Sequence, residues 1–98
     1  MKFPVGIPKT LPTHMGPVSV TLVPKLKAKD GTKLMGFYKP KSREIEIRAD
    51  MHPMATRQTL WHEWVHCILM DAGVQPKDHE VTEAICDTMG MALAALFT

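Results

Sequence analysis

The strongest constraint on the fold is a change of hydrophobic period near the middle of the chain. From Pro53 to about Met70 the sequence contains neither glycine nor a further proline, and apolar residues recur at helical spacing. Pro53 suits the first turn of a helix, and Pro76 lies in the break that follows. Asp78 is a suitable N-cap for a second helix. Residues 53–97 are therefore predicted to form a helical hairpin.

Both predicted helices carry apolar residues at regular spacing. Trp61 and Trp64 of the first helix are expected in the protein core, as two aromatic residues at this spacing on a helix usually are. Gly90 and Ala94 share the face of the second helix that carries Glu83, and small residues there would let the two helices approach closely. The apolar stripe of the second helix, typical of a helix that packs on a core, is formed by Val81, Ile85, Met89, Ala92, Leu93 and Leu96.

The first half of the chain has the pattern of strands. Strands are predicted over residues 18–23, 34–38 and 43–48, where apolar or β-branched residues alternate with polar ones between turn signals. Residues 1–17 contain four prolines and are predicted to form an extended Pro-rich arm. Strands followed by helices indicate an α+β fold: a small, mainly antiparallel three-stranded sheet over residues 18–48, packed on the helical hairpin.

Length and composition indicate one small globular domain spanning residues 1–98. No apolar run approaches the roughly 18 residues that a membrane span needs, so no membrane association is expected. The N-terminal segment also lacks the uninterrupted apolar stretch of a signal peptide. Cys67 and Cys86 are too few for a secreted disulfide scaffold, so we expect buried free thiols in a cytoplasmic protein.

Charge is distributed unevenly along the chain. Residues 1–50 hold ten Lys or Arg and four Asp or Glu, whereas residues 51–98 hold two and six. A basic first half permits contact with nucleic acid or an acidic partner, although lysines on solvated strands are the simpler explanation. The acidic second half suits a bound cation. Nothing in the sequence indicates the oligomeric state.

The segment from His62 to His66 has the pattern H-E-x-x-H and lies inside the first predicted helix. This spacing puts both imidazoles on one face, one turn apart, within reach of a single ion, and neutral imidazole is a good zinc ligand. Glu63 is turned about 100° away from His62 around the helix, so it points beside the ion. There it can take a proton from a metal-bound water, the role of a general base. The motif predicts one Zn²⁺ per chain.

A catalytic zinc site usually needs a third protein ligand and an open position for water. In the second helix, Glu83 and Asp87 are four residues apart and project from the same face. Glu80 lies on that face one turn earlier and is the alternative ligand. A thiolate as a fourth ligand, from Cys67 or Cys86, would close the site and make the zinc structural.

These motifs resemble the gluzincin metallopeptidases, the thermolysin-like group, in which H-E-x-x-H is followed by E-x-x-x-D. The resemblance implies that His62, His66 and Glu83 bind the zinc. It also implies that Glu63 is the catalytic base and that Asp87 orients the imidazole of His62, as outer carboxylates do in such sites.

The resemblance covers residues 53–97, and size and element order are also similar to the one-domain minigluzincins and to small zinc peptidases of phages and mobile elements that cleave immunity repressors. It implies hydrolysis of a peptide or protein substrate, with residues 43–48 as the edge strand that pairs with it. Larger gluzincins carry a further helical domain that donates His or Tyr to the developing oxyanion, and no residue here matches that donor. The remaining candidate donors are Tyr38, His14, His52 and His79. The alternative is a non-catalytic or regulatory zinc-binding domain, with nucleic acid as a further possible partner of the basic half.

Overall fold

The structure, a computed structural model, describes residues 7–74 and 77–97. Its elements in chain order are β1 (Thr10–Leu11), β2 (Val18–Val23), β3 (Gly36–Lys39), β4 (Glu44–Arg48), α1 (Pro53–Asp71) and α2 (His79–Leu96). The predicted α+β class and the predicted helical hairpin are confirmed. The first six residues of the expected arm, and Pro76 in the expected break, lie outside the described residues. Neither of the two helices has the combination of length and hydropathy that a membrane span requires.

The sheet has four strands in the order β1-β2-β4-β3, and it is mixed rather than mainly antiparallel. β2 and β4 run parallel, whereas β1 pairs with β2 and β3 pairs with β4 in antiparallel register. The expected three-stranded sheet therefore differs in strand number and in pairing. The additional strand, β1, lies inside the segment predicted to be an irregular arm, because two residues are too few to show an alternating pattern.

β4 lies in the centre of the sheet and β3 lies at its edge. The alternation predicted for this strand is confirmed, since Ile45 and Ile47 are fully buried between residues that keep partial exposure. The prediction that residues 43–48 form the edge strand is wrong. A strand's own sequence identifies its buried face but not its neighbours, which depend on pairing with distant segments.

The core lies between the buried face of the sheet and α1. Trp61 is 4% exposed, and Trp64 packs against the same cluster while its indole Nε1 donates a hydrogen bond to the carbonyl of Pro12, 3.1 Å away. The two rings meet edge to face. The prediction that both tryptophans belong to the core is therefore confirmed.

α2 packs on α1 through its smallest residues. Cys86, Gly90 and Ala94 are the buried residues of α2, and a Cβ at position 90 would lie 3.0 Å from the backbone nitrogen of His62 and from the carbonyl oxygen of Gln58. The predicted close approach through Gly90 and Ala94 is confirmed.

The apolar stripe of α2 does not pack on the core as expected. Its large residues are exposed to solvent: Val81 by 47%, Ile85 by 37%, Met89 by 45% and Leu96 by 73%. Of the expected stripe, Leu93 packs against the core cluster. The narrow face of small residues, which also carries Glu83, is the one that fits against α1.

A partly buried ion pair connects two segments of the first half, the turn at residues 13–16 and the turn before β4, to the end of α1. The guanidinium of Arg43 donates hydrogen bonds to both carboxylate oxygens of Asp71, at 2.8 and 3.1 Å, to Thr13 Oγ1 at 2.9 Å and to the carbonyl of Gly16 at 3.2 Å. Arg43 has a φ of 53°, in the left-handed region that is unfavourable for a residue with a side chain. This conformation in the turn before β4 directs the guanidinium towards Asp71. The hydrogen bonds from Arg43 hold the pKa of Asp71 below its ordinary value.

Replacing Asp71 by Asn should lower the free energy of unfolding by about 1–3 kcal/mol, because Arg43 loses a charged partner in a partly buried place. Since the pKa of Asp71 is lowered in the fold, its contribution is present above about pH 4 and is lost as the pH falls through that lowered pKa. The difference in free energy of unfolding between wild type and Asp71→Asn should thus become smaller in acid. Urea denaturation at neutral and acidic pH measures both effects. Asp50→Asn, which removes an exposed pair with Arg48, is the control and should cost less than about 1 kcal/mol; equal losses for the two variants would contradict the assignment.

Replacing Gly90 by Val should destabilise the protein by about 1–3 kcal/mol, because the new side chain meets the α1 backbone, which has no rotamer to change. Ala84→Val, on the exposed side of the same helix, introduces the same side chain without that contact. Helix propensity alone disfavours Ala84→Val and slightly favours Gly90→Val, so a larger loss at Gly90 reports the contact. Thermal denaturation of both variants compares them. A Gly90 variant as stable as the Ala84 variant would mean that the helices separate at no cost.

Candidate metal centre

The two histidines of the H-E-x-x-H motif lie on the face of α1 that meets α2. Their ring centroids are 5.0 Å apart and their planes are inclined by 61°. Both side chains are largely buried, with His62 at 16% and His66 at 23% exposure. Burial lowers the pKa of His66, against an opposing effect of Glu83, and so favours the neutral imidazole that binds metals.

Glu83 extends from α2 towards both histidines. One of its carboxylate oxygens lies 3.2 Å from Nε2 of His62, and the other lies 2.9 Å from Nε2 of His66. The structure therefore brings together the three residues that the resemblance implied as zinc ligands. The contact depends on the close approach at Gly90, two helical turns further along α2, which holds the two helices within side-chain reach.

Asp87 lies one turn after Glu83 and contacts the other ring nitrogen of His62, Nδ1. Its carboxylate oxygen is 2.7 Å from Nδ1 of His62. A proton held on Nδ1 by this carboxylate leaves Nε2 with the lone pair that a metal requires. Asp87 thus stands where the resemblance placed the residue that orients His62.

Glu80, the alternative ligand, is not brought to the histidines. Its side chain is exposed in the first turn of α2, and its backbone N–H donates to the N-cap carboxylate of Asp78 at 2.9 Å. Among the residues that the structure describes, it forms no ion pair with either histidine. The predicted N-cap at Asp78 is confirmed by the same hydrogen bond.

Cys86 lies closer to the centre than its sequence position alone indicated. It is fully buried, and its Sγ and one nitrogen from each of His62 and His66 lie within 4.8 Å of one another. Burial raises the pKa of Cys86 to about 12, with further contributions from Glu83 and Glu63, so the thiol is protonated at neutral pH. Its position three residues after Glu83, on the same helical face, is the signal that could have identified it.

Glu63 is nine-tenths buried beside the histidines, with a carboxylate oxygen 3.8 Å from Nε2 of His62. Loss of solvent raises its pKa to about 7; the positive charge of a protonated His62 opposes this shift and the charge of Glu83 adds to it. A carboxylate that titrates near neutral pH is suited to accept a proton and to return it. Glu63 thus combines the side position predicted for a general base with a suitable proton affinity.

A cleft of about 500 Å³ opens beside these residues, between the start of β3, α1 and α2. Gly36 borders it, and a Cβ there would lie 2.5 Å from Cγ2 of Thr59 and 3.2 Å from Cγ of Glu63. Only glycine lets the edge strand lie this close to α1. Sequence reasoning missed this role, although a glycine within a strand segment commonly marks close backbone approach.

The remaining residues singled out from the sequence do not line the cleft in the described part of the chain. Cys67 is a buried free thiol as expected, with Sγ 3.7 Å from a carboxylate oxygen of Asp71. Tyr38 is 7% exposed, and burial raises its pKa to about 12. Within residues 7–74 and 77–97, the cleft lining includes none of the four candidate oxyanion donors, which are Tyr38, His14, His52 and His79. His52 instead caps α1, where its Nδ1 accepts a hydrogen bond from the backbone of Met54.

Comparisons with protein-family models, with curated proteins and with solved structures find no match to this chain. Its functional interpretation therefore depends on the chemistry and geometry of the residues just described.

We expect purified protein to bind about one Zn²⁺ per chain, and Glu83→Ala to weaken binding far more than Glu80→Ala, because only Glu83 faces the histidines. Asp87→Asn should weaken binding by about 10- to 100-fold, the usual effect of removing a partner that orients a ligand. Competitive zinc titrations of the three variants measure these affinities. A larger loss for Glu80→Ala would mean that the ligand assignment is incorrect.

Proposed function

We propose that this chain is a zinc-dependent metallopeptidase that hydrolyses peptide bonds with Glu63 as the general base. The observation that carries the proposal is the convergence of one carboxylate, from Glu83, on the Nε2 atoms of His62 and His66, at 3.2 and 2.9 Å. Two imidazoles and one carboxylate form the donor set of one class of catalytic zinc site, which leaves a position open for water.

The residues at this site suit zinc in their protonation state as well as in their chemical type. The neutral form of His66 is favoured by burial. The carboxylate of Asp87 holds the proton of His62 on Nδ1, away from the centre. When bound, zinc would lower the pKa of a water molecule and polarise the scissile carbonyl group.

The role of Glu63 follows from its position and its environment. Its carboxylate is beside Nε2 of His62 rather than aligned with the ligand set, at 3.8 Å. It accepts a proton from the attacking water and later transfers it to the leaving amine. A pKa of about 7 allows both transfers near neutral pH, since neither protonation state is strongly preferred.

The proposed substrate is a peptide or protein segment in extended conformation. The edge strand β3, which borders the cleft at Gly36, has one side free of strand partners within the described sheet. The unpaired backbone groups of an edge strand can pair with an added strand. β3 therefore replaces residues 43–48 as the strand proposed to hold the substrate.

The second candidate function is a regulatory zinc-binding domain without catalysis. The position of Cys86 favours it, because a thiolate ligand added to the two histidines and Glu83 would occupy the position that water needs. The surface available for a nucleic-acid partner in this alternative is the loop between β2 and β3, which carries exposed lysines at Lys25, Lys27, Lys29 and Lys33.

The cellular setting belongs to the same proposal. Both cysteines are free and buried, which suits a reducing compartment such as the cytoplasm. A single domain of residues 1–98 remains the expected organisation.

The decisive experiment compares wild type with Glu63→Gln on a peptide library, in long incubations with a chelated control. The variant keeps the size and hydrogen-bonding reach of Glu63 but cannot accept the proton of water. Zinc affinity should barely change and the melting temperature should not fall, because the variant removes a buried charge, while hydrolysis should fall by roughly 10²–10⁴-fold. Glu44→Gln, which makes the same chemical change on β4, should leave hydrolysis unaltered.

Two results would contradict the proposal. Hydrolysis that survives Glu63→Gln would move the general base to another residue. Zinc-loaded wild type without any hydrolysis, together with a Cys86→Ala variant that binds zinc more weakly, would favour the regulatory domain.

A further inference from the structure

A short hairpin between β2 and β3 places two lysines directly opposite each other. Lys27 and Lys33 are partners in an isolated antiparallel bridge. The residues on either side of this pair are joined by backbone hydrogen bonds, from Ala28 to Thr32 at 2.8 Å and from Leu34 to Leu26 at 2.9 Å. A cross-strand pair flanked in this way has no backbone hydrogen bonds of its own, and its side chains lie closer together than those of the hydrogen-bonded pairs.

The fold does not neutralise these two lysines. Among residues 7–74 and 77–97, no carboxylate lies within ion-pair distance of Lys27 or Lys33. Asp30, at the tip of the hairpin, serves the turn instead, and its Oδ1 accepts a hydrogen bond from the backbone N–H of Thr32 at 2.9 Å. Like charges directly opposite each other destabilise a pair of strands. An anion bound between the two ammonium groups would relieve that repulsion.

The opposed lysines line a cavity of about 350 Å³. Its other charged lining residues are Lys25, Arg48 and Asp50, so four cations share it with one carboxylate. Asp50 binds Nε of Arg48 at 3.1 Å, and it therefore leaves the three lysines without an anionic partner. A concave surface with this excess of positive charge attracts anions.

The chemistry of the lining favours phosphate groups over carboxylates. Lysine binds phosphate as a point charge, whereas close recognition of a carboxylate uses the fork of an arginine. The one arginine of the lining, Arg48, already has its Nε on Asp50. Exposed Lys29 continues the positive charge along the hairpin beyond the cavity, which suits a polyanion better than a single small ion.

We propose that this surface binds the phosphate backbone of duplex nucleic acid without reading its base sequence. We call it the lysine site and define it as Lys25, Lys27, Lys33 and Arg48. In the described part of the chain no aromatic side chain lines the cavity, so it offers no platform on which an unpaired base could stack. Contacts to phosphate alone position a protein on a duplex but carry no sequence information.

The lysine site is separate from the candidate metal centre. The cavity and the cleft beside His62 share no lining residue within the described residues. Nucleic-acid binding therefore depends neither on zinc nor on hydrolysis, and its failure or success leaves the proposed peptidase activity to its own test.

The first test is fluorescence anisotropy of a labelled DNA duplex of about 20 base pairs with the full chain, at about 50 to 200 mM salt. With four phosphate contacts, the logarithm of the association constant should fall against the logarithm of the salt concentration with a slope of about −3 to −4. Lys27→Gln and Lys33→Gln should each make the slope less steep by about 1 and weaken binding by about 5- to 10-fold at 0.1 M salt. The matched control is Lys41→Gln, which removes the same charge from the exposed turn at the other end of β3 and should leave the slope unchanged.

Two further variants separate binding from folding. Lys33→Glu replaces the like-charged pair by an opposite-charged one, so it should raise the melting temperature while weakening duplex binding more than Lys33→Gln does. Asp50→Asn removes the single carboxylate of the lining and should tighten binding. A misfolded hairpin would produce neither result.

An RNA duplex of the same length distinguishes the two sources of this backbone, and salt-dependent binding of either duplex through the lysine site supports the proposal. Wild type that binds neither duplex at about 50 mM salt would overturn it. Equal losses for Lys41→Gln and Lys33→Gln would also overturn it, since the overall charge of the chain would then account for binding. Binding of poly-glutamate as tight as that of the duplex would assign the lysine site to an acidic protein instead.

Discussion

The contact between Gly90 and the backbone of α1 at His62 is the constraint on which the rest of the structure depends. Because no side chain separates the helices there, α2 lies close enough for Glu83 to reach Nε2 of both histidines and for Asp87 to reach Nδ1 of His62. A larger residue at position 90 would move these carboxylates away together. Packing of the hairpin and the geometry of the candidate metal centre are thus coupled. A mutation that separates the helices should weaken metal binding, and removal of a bound metal should weaken the packing of the helices.

A second close contact gives Glu63 its chemical character. The edge strand lies against α1 at Gly36 and removes solvent from the carboxylate, which raises the pKa of Glu63 to about 7. Burying a carboxylate is unfavourable for stability unless charged partners compensate. In the proposed mechanism that cost serves a residue that accepts and releases a proton. The sheet therefore contributes to the proposed chemistry through its edge.

The helix that contributes Glu83 has two faces of different kinds. Small residues form the inner face, and they bring α2 against α1; large residues form the outer face, and they remain exposed at Ile85 and Leu96 among others. Close packing of the inner face is therefore compatible with a large apolar area outside.

The sequence alone determined what depends on local spacing: the two helices, the N-cap at Asp78, the common face of His62 and His66, and the alternation of β4. Only the tertiary structure decided what depends on contacts between distant segments. It made β3 the edge strand, added β1 from a segment with too few residues for a pattern, and left the large apolar residues of α2 exposed. It also brought Cys86 close to the histidines. Periodicity identifies the faces of an element that can be buried, but which face is covered depends on how closely the backbones can approach. Here Gly90 allows the closest approach, so the face that carries it packs against α1.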